Sequence, residues 1–322
     1  MMSAPAVVVI GAGVVGLTTA VLLAEAGRNV RVDAELLPEA TTSAAAGASW
    51  DPFLAEPADL VERWSKESLL VLRALSADDR TGVRLVEGTH ESRVPRDVPA
   101  WAPWVDARPC APEDLRPGYT EGWRYRAPVV DMPTYLGHLV DRLVKAGGRL
   151  REHRYACVEE ALPEAPVVVN CTGTGARALV GDPSVQAVRG QLVVVENPGI
   201  GTFFCDDTPE ADDLVYIYPQ SDVVILGGTS DWDNWDLRAD PAAALDIVRR
   251  CVAVEPSLAD APVIGHRVGL RPVRPRVRLE AENRAKDTLL LHNYGHGGAG
   301  LTLSWGCARE VADLLRAAEL TP

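Results

Sequence analysis

Apolar positions along this chain recur in two periods, about 2 and about 3.6, and the alternation between them predicts an α/β fold. Ala6–Ile10 is rich in valine and isoleucine and suits a strand buried on both faces. Gly11 to Gly16 form a turn, Leu17–Ala26 is an alanine- and leucine-rich helix, and Gly27 closes it. Val30–Asp33 returns as a second strand. Helical spacing marks Leu60–Leu75, with Leu60, Trp64, Leu69 and Leu72 on one face, and Tyr135–Lys145, which stops at Gly147-Gly148. Further strands are expected at Val167–Asn170, Gln191–Val195, Tyr216–Tyr218, Val223–Leu226 and Thr288–His292. Two more helices are expected at Asp246–Val254 and Trp305–Ala318. Between Arg93 and Pro133, seven prolines sit among Trp101, Trp104 and Trp123. Central strands and helices do not carry prolines at that density, so a loop-rich insertion is expected there.

Composition narrows the class without deciding it. Apolar residues make up 47% of the 322 and charged residues 24%, an ordinary globular balance. A net charge of −13 repels phosphate backbones, which argues against nucleic acid as a partner. The apolar runs, such as Val167–Val169 and Val193–Val195, are strand-sized, so no membrane partner is expected. The six cysteines are far apart and form no CxxC pair, which predicts reduced thiols and no metal. No Ser-Lys-Leu-type tail ends the sequence, and the expected compartment is the cytoplasm. Nothing in the pattern decides for or against a homodimer.

The glycines carry the first chemistry. Gly11, Gly13 and Gly16 form a G-x-G-x-x-G between a strand and a helix. Gly11 allows the tight turn, Gly13 lets a pyrophosphate reach backbone N–H groups, including those of Val14 and Val15, and Gly16 lets helix and strand pack closely. The helix N-terminus adds partial positive charge. At the end of the second strand an acid should hold ribose hydroxyls; the register puts Ala34 there, between Asp33 and Glu35, and Glu35 is favoured. A small, hydroxylated loop follows, with Thr41, Thr42, Ser43 and Gly47. Val167–Gly175 resembles the adenine-side segment of glutathione-reductase-like flavoproteins and includes Thr172 and Gly173. A third glycine cluster runs from Gly295 through Gly297, Gly298 and Gly300 to Leu301 and Thr302. Three such sites suit a long cofactor, FAD held without a covalent bond, better than NAD. The organisation is then a Rossmann-like FAD-binding domain, discontinuous over 1–60, 135–185 and 265–322. An interleaved α+β substrate domain, on a mixed or antiparallel sheet, takes 61–134 and 186–264.

Leu290 to Gly300, followed by Trp305-Gly306-Cys307-Ala308, resembles the C-terminal signature of the D-amino-acid oxidase family. Val268 to Glu280, Tyr216-Ile217-Tyr218-Pro219, Arg189-Gly190-Gln191 and Asn170-Cys171-Thr172-Gly173 are similar to other segments of that family, in family order. The resemblance implies hydride transfer from the α-carbon of a D-amino acid to flavin N5, with oxygen as the acceptor. It implies that Arg271 pairs with the substrate carboxylate, a task that suits a planar guanidinium. Tyr216 would add a hydroxyl bond, the Gly298 carbonyl would take the amine, and Arg278 would stand beside the flavin. His292 and His296 are read as structural histidines rather than bases. Two departures bear on substrate range. Cys205 to Asp213 is acidic and lacks the tyrosine found on the lid of mammalian-type members. Asp51 stands where a glutamine usually follows the tryptophan. The acidic segment leads to an expected preference for neutral or basic side chains over acidic ones, with D-aspartate oxidation as a rival. A glycine- or sarcosine-oxidase-like activity, a nicotinamide-dependent dehydrogenase and a non-catalytic flavin-binding module are the other readings.

Overall fold

The computed structural model describes residues 5–51, 55–209, 214–285 and 288–320, with the side chains of 283–285 left aside. Among the described residues, fourteen strands join one continuous sheet with two characters. On one side, Arg149–Glu152, Val30–Ala34, Val7–Ile10, Val167–Asn170 and Thr288–His296 lie parallel in that order. Valines dominate these strands, and Val8, Val9, Val168 and Val169 are fully buried, as a sheet covered on both faces requires. The helix Val14–Glu25 packs over it, and Gly300–Leu320 crosses that helix and Ala58–Leu75. A Cβ on Gly306 would lie 2.4 Å from the Trp64 backbone, so only glycine allows the second crossing to be that close.

On the other side the sheet is mixed and mostly antiparallel. Gln186–Glu196, Val223–Gly227, Tyr216–Gln220, Phe203–Asp206, Val83–Ser92 and Glu121–Val130 follow one another, with Phe203–Asp206 and Val83–Ser92 parallel. The helix Pro241–Val254 covers this half. The α/β fold expected from the sequence is the one observed.

One strand belongs to both halves. Val263–Ala285 pairs through Val273 with Gln186–Glu196, and from Arg278 onward mainly with Thr288–His296. The expected domain limit at 265 therefore falls near the start of a strand that spans both sheets. Proline and arginine hid this strand from periodicity. Pro275 is tolerated because the ladder is irregular between Val273 and Arg278, where Val277 N donates instead to Glu56 O at 2.7 Å, and Pro272, opposite Ala187, stands just before that break. The insertion expected between Arg93 and Pro133 is loop and short turns up to Thr120 apart from a two-residue strand at Arg108–Pro109, but Glu121–Val130 is a ten-residue strand carrying Pro128.

Candidate functional site

The carboxyl ends of the parallel strands open into a cavity of about 650 Å³ that reaches across to Tyr216 and Arg271. Its nucleotide end is built by the first glycine turn. Gly11 has φ +111°, and a Cβ there would stand 2.6 Å from Cys171 O. A Cβ on Gly16 would lie 2.0 Å from Gly11 O, so Gly16 does not line the cavity but lets the turn close behind it. Gly13 begins the helix with no side-chain cap, and no acid sits in the first turn. Ser43 Oγ accepts the Val14 N–H at 2.9 Å, and the terminus is otherwise open to an anion. Val14, Val15, Thr41, Thr42 and Gly47 line the same cavity, as do Thr172 and Gly173. Asp33, one of the two candidate ribose acids, is fully buried and committed. It accepts from Arg31, from Arg151 (2.7 Å) and from Tyr155 Oη (2.6 Å). Burial opposes its charge, but these three donors hold its carboxyl below the usual range. Glu35, exposed and 3.4 Å from Arg154, lines the cavity instead.

At the opposite end glycines make room for the larger groups. Arg271 Nη1 donates to Thr229 O at 2.9 Å, and its guanidinium lies over Gly190, where a Cβ would be 2.6–2.7 Å away. The Tyr216 ring lies against Gly227 and Gly228, at 1.9 Å and 2.8 Å from the positions their Cβ atoms would take. It stacks on Tyr218 with ring centres 4.9 Å apart. Burial raises the Tyr216 pKa, Arg271 opposes the rise, and the phenol stays a neutral donor. Gly297, Gly298, Gly300 and Leu301 also line the cavity. The buried Asn293 Oδ1 and His296 Nε2 have no hydrogen-bond partner among the described residues, and both residues face the cavity. With the open helix terminus and three glycine segments on one cavity, these atoms fit a long, polar cofactor.

Three expected site residues stand elsewhere. Arg278 does not line the cavity: it shares a strand face with Glu280 and Glu282, and its head bonds Glu280 (2.7 Å) and Tyr294 Oη (2.9 Å). Thr302 uses its hydroxyl on Asp51, accepting from Asp51 N at 2.9 Å and donating to Asp51 O at 2.8 Å. Gly295, with φ +86°, lies against Arg274 behind the lining. Of the two histidines, His292 bonds Glu282 at 3.0 Å outside the cavity. His296 is inside, but burial lowers its pKa to about 4, which leaves a neutral and weakly basic ring.

Sequence reasoning marked Asp51 only as a departure bearing on substrate range, with no role assigned. It lines the cavity, and burial raises its carboxyl to about 6. One ligand atom from each of Asp51, His90 and Cys205 falls within 4.8 Å of the others. The acidic segment beyond Cys205 is neutralised where it is described. Asp206 meets Arg93 at 2.9 Å and accepts from Tyr119 Oη, and Asp207 lies 3.4 Å from Arg96. Residues 210–213 of that segment lie outside the described residues.

A family model described as FAD dependent oxidoreductase matches residues 6–314. The chain is 49% identical over 315 residues to a D-amino-acid oxidase of Rubrobacter xylanophilus, covering 97% of this chain and 96% of that one. It is 47% identical to one of Streptomyces coelicolor, covering 96% of each. It is 36% identical to a human D-aspartate oxidase, covering 96% and 94%. Among solved structures, a glycine oxidase from Geobacillus kaustophilus superposes with a TM-score of 0.81 at 19% identity, over 97% of this chain and 95% of that one. Among the described residues no helix is long and apolar enough to cross a membrane.

Proposed function

Because the chain belongs to the FAD dependent oxidoreductase family, whose cofactor is FAD, we propose that it oxidises D-amino acids to 2-oxo acids and ammonia. The observation that carries this reading is the pairing of Arg271 with Tyr216 in the cavity that also holds the three glycine segments. FAD, when bound, would supply the two-electron acceptor for the substrate's α-hydrogen, with oxygen as the final acceptor and hydrogen peroxide as its product. The protein's share is to bind, orient and exclude water. Arg271 takes the carboxylate as a charge-assisted pair, fixed by its bond to Thr229 O. Tyr216, kept neutral by burial, donates to the same carboxylate. The Gly298 carbonyl accepts from the amine. No side chain is needed as a base if the amine enters neutral, and the weakly basic His296 agrees with that. The imino acid released is hydrolysed in water. The Val15 N–H and the Ser43 hydroxyl at the helix terminus would hold the cofactor's phosphates, Thr172 would stand at its adenine side and Glu35 would take its ribose. The six cysteines are free thiols, which favours the reducing cytoplasm.

Neutral or basic side chains are preferred to acidic ones. Among the described lining residues the arginines are Arg271 and Arg154. The first is used on the α-carboxylate and the second stands beside Glu35. D-Aspartate would find no further cation for its side chain.

R271A should raise KM for D-alanine by about 30- to 1000-fold, the worth of a charge-assisted pair of roughly 2–4 kcal/mol. G190A should also raise it, by less. Its Cβ would displace only the flexible guanidinium head, so the flavin spectrum should be retained. An unchanged KM in R271A by oxygen-consumption kinetics would remove the assignment.

A further inference from the structure

The expected side-chain preference was argued from the acidic segment after Cys205, yet its described acids are already matched by arginines. A different carboxylate faces the cavity unmatched. Among the described residues the Asp51 side chain makes no hydrogen bond or ion pair, whereas its backbone is clamped on both sides by Thr302. The clamp and the neighbouring Trp50, whose indole N–H donates to Ser65 O at 2.9 Å, fix where Asp51 stands. Asp51 is half-buried, and a carboxylate held from water without a partner is costly, so such groups persist where a cation arrives with a ligand.

The groups around Asp51 bring no cation of their own. Burial holds the His90 pKa down to about 4, so its ring is neutral. Burial also raises the Cys205 thiol and the Tyr125 and Tyr218 phenols well above their ordinary values, so all three stay protonated. Asp207, the nearby second acid, has Arg96 beside it. Among the described groups near it, Asp51 is thus the carboxylate without a cation, and Tyr218 and Cys205 line the same cavity.

We infer that Asp51 anchors the cationic side chain of a basic D-amino acid, an ammonium or guanidinium, in the cavity where Arg271 takes the α-carboxylate. The inference rests on the proposed oxidation of D-amino acids and names the group that sets its side-chain preference. Tyr218 would border the methylene stem, and the thiol of Cys205 would stand beside the head, both lining the cavity with Asp51.

The test compares D-lysine with D-norleucine, which lacks only the terminal ammonium, in the FAD-loaded wild-type enzyme and in D51N. Steady-state oxygen consumption should favour D-lysine in the wild type. In D51N the D-lysine to D-norleucine ratio of kcat/KM should fall about 10- to 100-fold, through a higher KM for D-lysine and a lower one for D-norleucine. A ratio left unchanged by D51N overturns the inference and leaves the oxidase reading standing. A wild-type enzyme that oxidises no D-amino acid removes both. A stoichiometric transition metal in the purified holoenzyme, absent from C205S, would also overturn it, because the three donors would then be a metal site.

Discussion

At the scale of single residues, the site is a set of groups given room by glycine and charge by burial. Gly190, Gly227 and Gly228 are small because Arg271 and Tyr216 occupy the space their side chains would need. The sequence marks Gly190 only within a family-like segment; the reason for all three glycines appears once strands side by side bring the large groups over them. The same limit hid Thr302, whose hydroxyl serves a residue 251 positions away. Asp51 has a consequence for stability that can be measured. Burial raises its carboxyl from 3.8 to about 6, so the folded chain binds that proton more tightly than the unfolded chain does. The cost of charging it is absent below about pH 4, grows from there to about pH 6, and is fully present above. D51N should therefore be more stable than the wild type at pH 8, by about 2–3 kcal/mol of unfolding free energy, and lose that advantage near pH 4. Thermal unfolding at both pH values checks it, and an equal advantage at both would contradict the burial argument.

Among the elements, helices and buried parallel strands were the legible part. Val167–Asn170 lies as its run of valines predicts, and Ala58–Leu75 and Met132–Lys145 extend their expected spans by two or three residues. Val263–Ala285 was not legible, because a strand that changes partners carries prolines at and just before its irregularity and alternates arginine with apolar residues. Glu121–Val130 was lost among prolines for a similar reason, although it pairs along its whole length with Val83–Ser92. Glycines inside helices separate packing from propensity. Gly137 in Met132–Lys145 has nothing within 4 Å of where a Cβ would be, so G137A should stabilise by about 0.5–1 kcal/mol. G306A should destabilise by about 1–3 kcal/mol or more, because the atoms in its way are the Trp64 backbone. Chemical denaturation distinguishes them, and the same sign for both would contradict the packing described.

Over the whole molecule, the cavity lies where the parallel and antiparallel halves share a strand, so one continuous sheet sets the geometry between the nucleotide end and the carboxylate end. The nucleotide end was readable from Gly11, Gly13 and Gly16 because a tight turn, a close approach and an open helix terminus each need particular residues. The substrate end was readable mainly by resemblance, since Arg271 lies among Arg274, Arg276 and Arg278 and spacing alone does not choose between them. The fold separates two of these: Arg271 faces the cavity and Arg278 turns to Glu280 and Tyr294. The central claim is that this cavity binds FAD beside a D-amino acid whose carboxylate meets Arg271. Its most direct test is anaerobic mixing of the FAD-loaded enzyme with D-alanine or L-alanine, followed by flavin absorbance. Rapid bleaching by the D-isomer and none by the L-isomer is the predicted result; bleaching by L-alanine, or by neither, would contradict it.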